Sequence, residues 1–215
     1  MSLRSLTVYR YINVSRLSSP LCYINLIVFA MVAVLSAQVK AAGDASIIAG
    51  LKAGKYSILM RHALAPGTGD PENFQIGDCG SQRNLSEKGR RQAQVIGETL
   101  RSRGITSPKV YTSQWCRCRD TAQLLDFKSV ADLPIINSFF RDFRRREQQT
   151  EATLKWLYKH TAQKSRSGGA PLILVTHQVN ITALTGVFPS SGEMVVVALN
   201  QAGKLELIAR WPTSV

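Results

Sequence analysis

The chain has 215 residues, of which 45% are hydrophobic, and this suits one globular domain with an N-terminal extra segment. Lys and Arg outnumber Asp and Glu by 27 to 14, and this excess of positive charge favours anionic partners such as phosphorylated small molecules or anionic glycolipid. The basic residues are scattered, apart from a short run at 141–146. They form no stripe interleaved with aromatic residues, so the composition argues against nucleic acid as a partner.

Residues 1–41 have the order of a secretory signal peptide. Three arginines precede an apolar run at 26–35, and a small-residue cleavage site follows at Ala41. The apolar run is shorter than the roughly 20 residues of a membrane span, so we favour cleavage over an uncleaved N-terminal anchor. The expected mature domain is 42–215. We expect it to be periplasmic or secreted, without stable membrane insertion.

Beyond this segment, apolar spacing and turn residues predict alternating helices and strands. In the first half these are a short helix at 45–51, a strand at 55–60, a helix from Ser86 to Gly104, a strand at 110–112 and a helix at 116–125. The loop at 63–83 is long and rich in Gly, Pro and Asp. Such a loop inside a compact domain is more often functional than idle.

In the second half, the pattern predicts a strand at 133–136, a helix at 150–164, a strand at 172–176, a helix at 180–185, and strands at 193–199 and 205–211. The alternation indicates an α/β fold, a three-layer sandwich with helices on both faces of the sheet. The sheet is expected to be mainly parallel with an antiparallel edge. The fully apolar strand at 172–176 is typical of a strand buried on both faces of a parallel sheet.

Polar side chains follow three of the predicted strands at the point where each strand ends. Arg61 and His62 end the first strand, Ser113 follows the second, and His177 follows the apolar strand. Because sites in such sheets lie beyond the carboxyl ends of the strands, we expect these side chains to meet. Together with Arg117 and a helix N-terminus, they suit a tetrahedral phosphate dianion.

The same segments resemble the histidine phosphatase superfamily, the phosphoglycerate-mutase-like proteins. Residues 61–63 are similar to its Arg-His-Gly/Ala motif, and residues 84–89 to its Asn-Leu-Ser/Thr-x-x-Gly segment. Residues 113–122 resemble its Ser-x-x-x-Arg-x-x-x-Thr-Ala segment, and residues 176–177 its second histidine. Order and spacing agree over about 55–185, and the resemblance is to a small exported bacterial member.

The resemblance implies a phosphatase that works through a phosphohistidine. His62 would be the nucleophile and would be neutral on its attacking nitrogen. Arg61, Arg117 and His177 would bind the oxygens on which charge builds, with His177 protonated. The other residues expected to bind substrate are Asn84, Ser113 and Gln178. These cationic groups would do the electrostatic work of Mg²⁺, so no metal is expected. The chain shows no P-loop or Rossmann glycine pattern, so no cofactor is expected either.

The resemblance does not fix the residue that protonates the leaving group. The candidates are Asp142 and Glu147, with Asp142 preferred, and a site without a protein acid would suit a good leaving group such as a phosphoramidate. The segment between Leu125 and Leu154 is short, which implies a small cap and an open site for an extended or bulky substrate. Exported bacterial members include phosphatases of lipopolysaccharide heptose phosphate. A phosphorylated small molecule or glycan is therefore the expected partner.

Two other functions remain open. A catalytically idle member would bind phosphate or anionic glycan without turnover. A mutase would need a closed pocket that retains its intermediate against water, and the short cap argues against it.

Three cysteines lie beyond the expected signal peptide, Cys79, Cys116 and Cys118. An exported protein can oxidise them, and one bridge from Cys79 with one leftover thiol is expected. A zinc site is the competing interpretation, but no fourth ligand at suitable spacing is evident. Related family members often have a small buried residue at the position of Cys118. The resemblance also brings the segment near Cys79 towards Arg117, and so implies a Cys79–Cys116 disulfide.

Overall fold

The structure is a computed structural model that describes residues 43–162 and 170–214. The expected signal peptide at 1–41 lies outside the described residues. Among the helices that the structure describes, none is both long enough and apolar enough to cross a membrane.

Six strands of the described chain form one sheet. They are β1 (Tyr56–Arg61), β2 (Lys109–Thr112), β3 (Ser129–Asp132), β4 (Leu172–Thr176), β5 (Met194–Leu199) and β6 (Leu205–Trp211). Their spatial order is β3-β2-β4-β1-β5-β6. The first four pair in parallel, whereas β5 runs antiparallel to both β1 and β6. The expected mainly parallel sheet with an antiparallel edge is therefore confirmed.

Helices pack on both faces of this sheet. They are α1 (43–52), α2 (Glu87–Ser102), α3 (Cys116–Leu124), α4 (Arg146–Ala162) and α5 (Gln178–Thr185). Successive side chains of a strand point to opposite faces. Accordingly, Ile58 packs in one buried cluster with Leu100 of α2, and Leu59 packs in another with Leu157 of α4 and Ile181 of α5. This arrangement is the three-layer sandwich expected from the sequence.

The predicted third strand at 133–136 is wrong. Pro134–Ile136 forms a single 3-10 turn, and β3 lies earlier, where Ser129 pairs with Lys109 of β2. Proline has no N–H to donate to a strand ladder and its φ is fixed, so the apolar run cannot extend the sheet. Ile136 is buried in the core from within this turn.

Two helices begin before their expected first residues. α4 starts at Arg146 rather than at 150, and α5 starts at Gln178 rather than at 180. The end of the predicted helix at 150–164 falls outside the described residues.

Helix α2 is joined closely to the loop that follows β1. Ser86 caps the helix by accepting a hydrogen bond from the Gly89 N–H at 3.1 Å. A Cβ on Gly89 would clash with the Leu64 carbonyl, so only glycine allows this approach. The Ser86 N–H also donates to the Leu64 carbonyl at 3.0 Å. These contacts fix the chain two residues beyond His62.

Candidate active site

The residues expected to form the site meet at the carboxyl edge of the parallel strands. Arg61 is the last residue of β1 and His62 follows it, Ser113 follows β2, and His177 follows β4. Arg117 lies in the first turn of α3. His62, Ser113, Arg117 and His177 are all buried, with 3% or less of each residue exposed.

Arg117 is the centre of the hydrogen-bond network. Its Nε–H donates to His62 Nε2 at 3.2 Å, and Nη2 donates to His177 Nδ1 at 3.3 Å. Nη1 and Nη2 also donate to Oδ1 and Oδ2 of Asp70, at 2.6 and 3.3 Å. Nη1 reaches the Arg83 carbonyl at 3.4 Å. The five N–H groups of a guanidinium are thereby matched by five acceptor contacts.

The contacts of His62 define its tautomer. Because arginine can only donate, His62 Nε2 must be the acceptor, and the ring proton lies on Nδ1. Nδ1 donates to the Ala63 carbonyl at 2.8 Å. Burial, and then the charge of Arg117, hold the pKa of His62 well below its ordinary value. His62 is therefore a neutral imidazole whose Nε2 lone pair faces the arginine, as a nucleophile requires.

The surroundings of His177 favour its neutral form, and the expectation that it is protonated when it binds phosphate stays a prediction. Burial, and then the charge of Arg117, hold its pKa well below the ordinary value. Its Nδ1 accepts from Arg117, so the proton lies on Nε2, which donates to Ser113 Oγ at 2.8 Å. Ser113 Oγ donates onward to Asn137 Oδ1 at 3.2 Å. Ser113 thus orients His177, and it does not line the cavity as a substrate-binding residue.

Asp70 is a site residue that the sequence analysis missed. Its Oδ2 accepts from the Trp115 indole N–H at 3.0 Å, and its Oδ1 accepts from the Arg83 backbone N–H at 3.2 Å, in addition to the Arg117 contacts. Burial acts to raise the pKa of Asp70, but the hydrogen bonds and charge of Arg117 outweigh it and lower the pKa. The only sequence signal was its place in the Gly- and Pro-rich loop at 63–83.

Two further arginines line the same cavity. Arg61 Nη1 donates to the Pro189 carbonyl at 2.9 Å, while its buried Nε–H has no hydrogen-bond partner among the described residues. Arg83 Nε donates to the Gly69 carbonyl at 2.7 Å, and its Nη1 donates to the Ala65 carbonyl. Arg61 was predicted from the sequence as a site residue, and Arg83 was not.

A disulfide joins Cys79 to Cys116, the pairing that the sequence analysis predicted. It ties the loop after β1 to the first residue of α3, directly before Arg117. Cys118 is a buried free thiol at 3.5 Å from His177 Nε2, and burial raises the pKa of this thiol to about 12. Cys118 is therefore a protonated core side chain and no nucleophile.

The structure does not bring Asn84 to the cavity wall, and its expected role in substrate binding stays a prediction. Its side chain is exposed, lies outside the cavity wall, and donates from Nδ2 to the Cys79 carbonyl at 2.7 Å. This contact stabilises the disulfide loop. Gln178 does line the cavity, and its Nε2 donates to Thr182 Oγ1 at 2.8 Å.

The site opens into a cavity of about 520 Å³. We call Arg61, His62, Arg117 and His177 the floor of this cavity. We call Phe140, Arg141, Asp142, Arg145 and Phe188 its rim. The rim is exposed, with 43% of Phe140 and 69% of Phe188 open to solvent.

The two candidate acids occupy different places. Asp142 lies on the rim and pairs with Arg144 at 2.8 Å, and this hydrogen bond lowers the pKa of Asp142. Glu147 is exposed on α4 and is absent from the cavity wall. Neither carboxyl group therefore presents a proton to the floor in this conformation. In the described part of the chain, no three His, Cys, Asp or Glu residues are grouped to hold a metal ion.

The fold and the site define an α/β protein with a cavity lined by two histidines and five arginines at the carboxyl edge of its parallel strands. Residues 57–139 match the sequence model of the histidine phosphatase superfamily, branch 1. Over this part of its length, the chain is similar to the histidine phosphatase superfamily.

Several known proteins are similar to this chain. The mitochondrial serine/threonine-protein phosphatase Pgam5 of Drosophila grimshawi is 32% identical over 74 residues, and that of Drosophila virilis equally so. The match spans 34% of this chain and only 23% of either relative. Among solved structures, mycobacterial glucosyl-3-phosphoglycerate phosphatase has a TM-score of 0.53 at 16% identity, over 74% of this chain and 100% of that one. Protein histidine phosphatase SixA with tungstate has a TM-score of 0.52 at 15% identity, over 73% and 96%. At these identities the structures support the fold alone.

Proposed function

We propose that the protein is a phosphatase that hydrolyses phosphomonoesters through a phosphohistidine on His62. One observation carries the proposal. His62 is buried, neutral and oriented by Ala63, and its Nε2 lone pair faces Arg117. A nucleophile fixed beside a guanidinium is the pair of groups that phosphoryl transfer needs.

The first step forms a bond between His62 Nε2 and phosphorus and breaks the bond from phosphorus to the leaving oxygen. The hydrogen bond from Arg117 to Nε2 must open for this attack, and the guanidinium then donates to the phosphoryl oxygens instead. The Ala63 carbonyl, which accepts from Nδ1, favours the positive charge that develops on the ring. Arg61 adds its unpartnered Nε–H to the same oxygens.

In the second step water attacks the phosphorus, the bond to Nε2 breaks, and inorganic phosphate leaves. The neutral imidazole is restored with its proton still on Nδ1. The chain's own cationic groups supply the charge stabilisation in this scheme, so we propose that hydrolysis is independent of added metal. Activity retained after EDTA treatment is the expected result, and loss that Mg²⁺ restores would contradict it.

The leaving group of a phosphomonoester needs a proton. The state of the cavity carboxylates therefore favours a second candidate substrate, a phosphoramidate such as phosphohistidine. The carboxylates of the cavity wall are Asp70 and Asp142, and the pKa of each is lowered, so both are ionised near neutral pH. A basic alkoxide leaves poorly without an acid, whereas a phosphorylated imidazole that is protonated on its other nitrogen releases neutral imidazole readily. Comparing an alkyl phosphate, an aryl phosphate and a phosphorylated imidazole orders these leaving groups directly.

The rim supports an extended, anionic substrate. It offers two exposed phenyl rings beside Arg141 and Arg145. A phosphorylated glycan, including a lipopolysaccharide sugar phosphate, fits such a rim, and we retain it as the proposed substrate class. We further propose export to the periplasm or outside the cell, on the signal-peptide pattern of residues 1–41.

Replacing the nucleophile tests the proposal. His62→Ala should lower kcat/KM by about 10⁴-fold or more, because a nucleophile has no substitute. His160→Ala is the matched control, since His160 stacks on Trp156 of α4 and is absent from the cavity wall. Acid-quenched wild type should carry phosphate on His62. Wild type without turnover or adduct on a phosphoester and phosphoramidate panel would instead indicate the catalytically idle phosphate-binding member.

A further inference from the structure

The carboxylate of Asp70 takes the hydrogen bonds that an incoming oxyanion would need. It faces the Nη1 and Nη2 groups of Arg117, the paired donors that bind carboxylate or phosphate side by side. Trp115 Nε1–H and the Arg83 backbone N–H complete a set of four donors around its two oxygens. Only 6% of the Asp70 side chain is exposed. Asp70 therefore sits in the cavity as a bound anion does.

The arrangement leaves Arg117 without a spare donor. Its remaining N–H groups go to His62, His177 and the Arg83 carbonyl. A phosphoryl group that approaches His62 can gain the paired Arg117 donors only if another acceptor gives them up. Two anions at one guanidinium also repel each other. Asp70 is the anionic acceptor of Arg117, so the repulsion between the two anions acts on its carboxylate.

We propose that Asp70 is an internal anion of this site, which a phosphoryl group displaces from Arg117 when it binds. This rests on the proposed function only in that it takes the cavity to be the phosphoryl site. Asp70 thereby weakens the binding of every oxyanion and sets how much negative charge a ligand must bring. Asp70 is therefore a specificity-determining residue. Its carboxylate leaves the Nη1 and Nη2 groups of Arg117 and takes no part in the making or breaking of bonds.

The loop that carries Asp70 permits this displacement. Gly67 and Gly69 have φ of +87° and +72°, a backbone conformation that glycine adopts without strain, and residues 66–68 are exposed. The loop is held by arginine contacts to its carbonyls, from Arg83 to Gly69 and from Arg141 to Pro71. Movement of Asp70 therefore breaks its own hydrogen bonds to Arg117, Trp115 and Arg83. Asp70 is a member of neither buried cluster of the sheet.

Binding of inorganic phosphate, measured by titration calorimetry, tests the proposal without any turnover. Asp70→Asn keeps the size of the side chain and removes its charge, so it should bind phosphate about tenfold or more tightly than wild type. Asp132→Asn is the matched control, because it removes the same charge outside the cavity wall and frees only Arg119. Its affinity should change by less than about threefold.

Equal or weaker binding by Asp70→Asn would overturn the proposal, because it would show that Asp70 stays on Arg117 and positions it. Absence of phosphate binding in both proteins would overturn it as well. If the variant does not fold, a crystal structure of wild type with tungstate decides. Asp70 should then lie beyond hydrogen-bond distance of Arg117, and a retained contact refutes displacement.

These outcomes are separate from the fate of the phosphatase proposal. Tighter phosphate binding by Asp70→Asn in a protein without turnover refutes the phosphatase and supports the internal anion. Turnover in wild type with no gain in phosphate affinity in Asp70→Asn supports the phosphatase and refutes the internal anion.

Discussion

The floor and the rim of the cavity differ in burial and in what holds their side chains in place. Three of the four floor residues are buried, and one guanidinium links both imidazoles. The rim side chains are exposed except for the half-buried Asp142, and two of them are large apolar rings open to solvent. Packing and hydrogen bonds thus determine the geometry of the floor, where the chemistry would occur. In the proposed function, the rim would bind the part of the substrate that does not react.

The largest expected effect separates the two regions by one kind of substitution. Arg117→Lys removes the paired donors and the Nε–H to His62, and should lower kcat/KM by about 10³-fold. Arg145→Lys on the rim keeps the charge and should cost less than about tenfold, since in the proposed site Arg145 would contact only the non-reacting part of the substrate. Steady-state rates with an aryl phosphate measure both. Equal losses of kcat/KM in the two variants would show that the floor and the rim contribute equally to turnover.

The disulfide joins the loop after β1 to α3, which carries Arg117 of the floor, and it should stabilise the folded protein. Cys79 and Cys116 are 37 residues apart, and a loop of this length lowers the entropy of the unfolded chain by an amount equivalent to about 3 to 4 kcal/mol. A Cys79→Ala/Cys116→Ala variant should lose about this much free energy of unfolding, measured by denaturant titration. A reductant should shift the midpoint of wild type and leave that of the double variant unchanged. A shift in both would point to another cause.

The smallest expected effect is the pH dependence of stability. The pKa values of His62 and His177 are lowered in the folded protein, so below about pH 6.5 the unfolded chain takes up protons that the folded chain does not. The free energy of unfolding should then fall with falling pH, by about 1.4 kcal/mol per pH unit for each histidine. His62→Asn should remove about half of that slope. An unchanged slope would show that His62 is not held neutral.

The floor residues could be predicted from the sequence because the ends of the strands can be recognised. An apolar run that stops at Arg61-His62, and another that stops at His177, place their side chains at one edge of a parallel sheet. The segment at 113–122 added Arg117 by its resemblance to a known motif. The sandwich and its antiparallel edge followed from the alternation of helices and strands.

What the sequence did not predict depends on contacts between distant segments. Asp70 follows glycines and has no periodic neighbours, so nothing local indicates that it reaches Arg117 47 residues away. The lowered pKa of His177 was not foreseen, because burial and the field of Arg117 exist only in the folded protein. Asn84 was misplaced because the direction of a loop side chain depends on its neighbours, here the Cys79 carbonyl.

The fully engaged guanidinium of Arg117 has a consequence for ligand affinity. An arginine side chain carries about 2 kcal/mol of rotamer entropy, which is lost when its geometry becomes fixed. Here the chain gives up that entropy when it folds, because Arg117 is already immobilised by its acceptors before any ligand arrives. An anion that exchanges with one acceptor therefore meets a preorganised partner, and association need not freeze this side chain a second time.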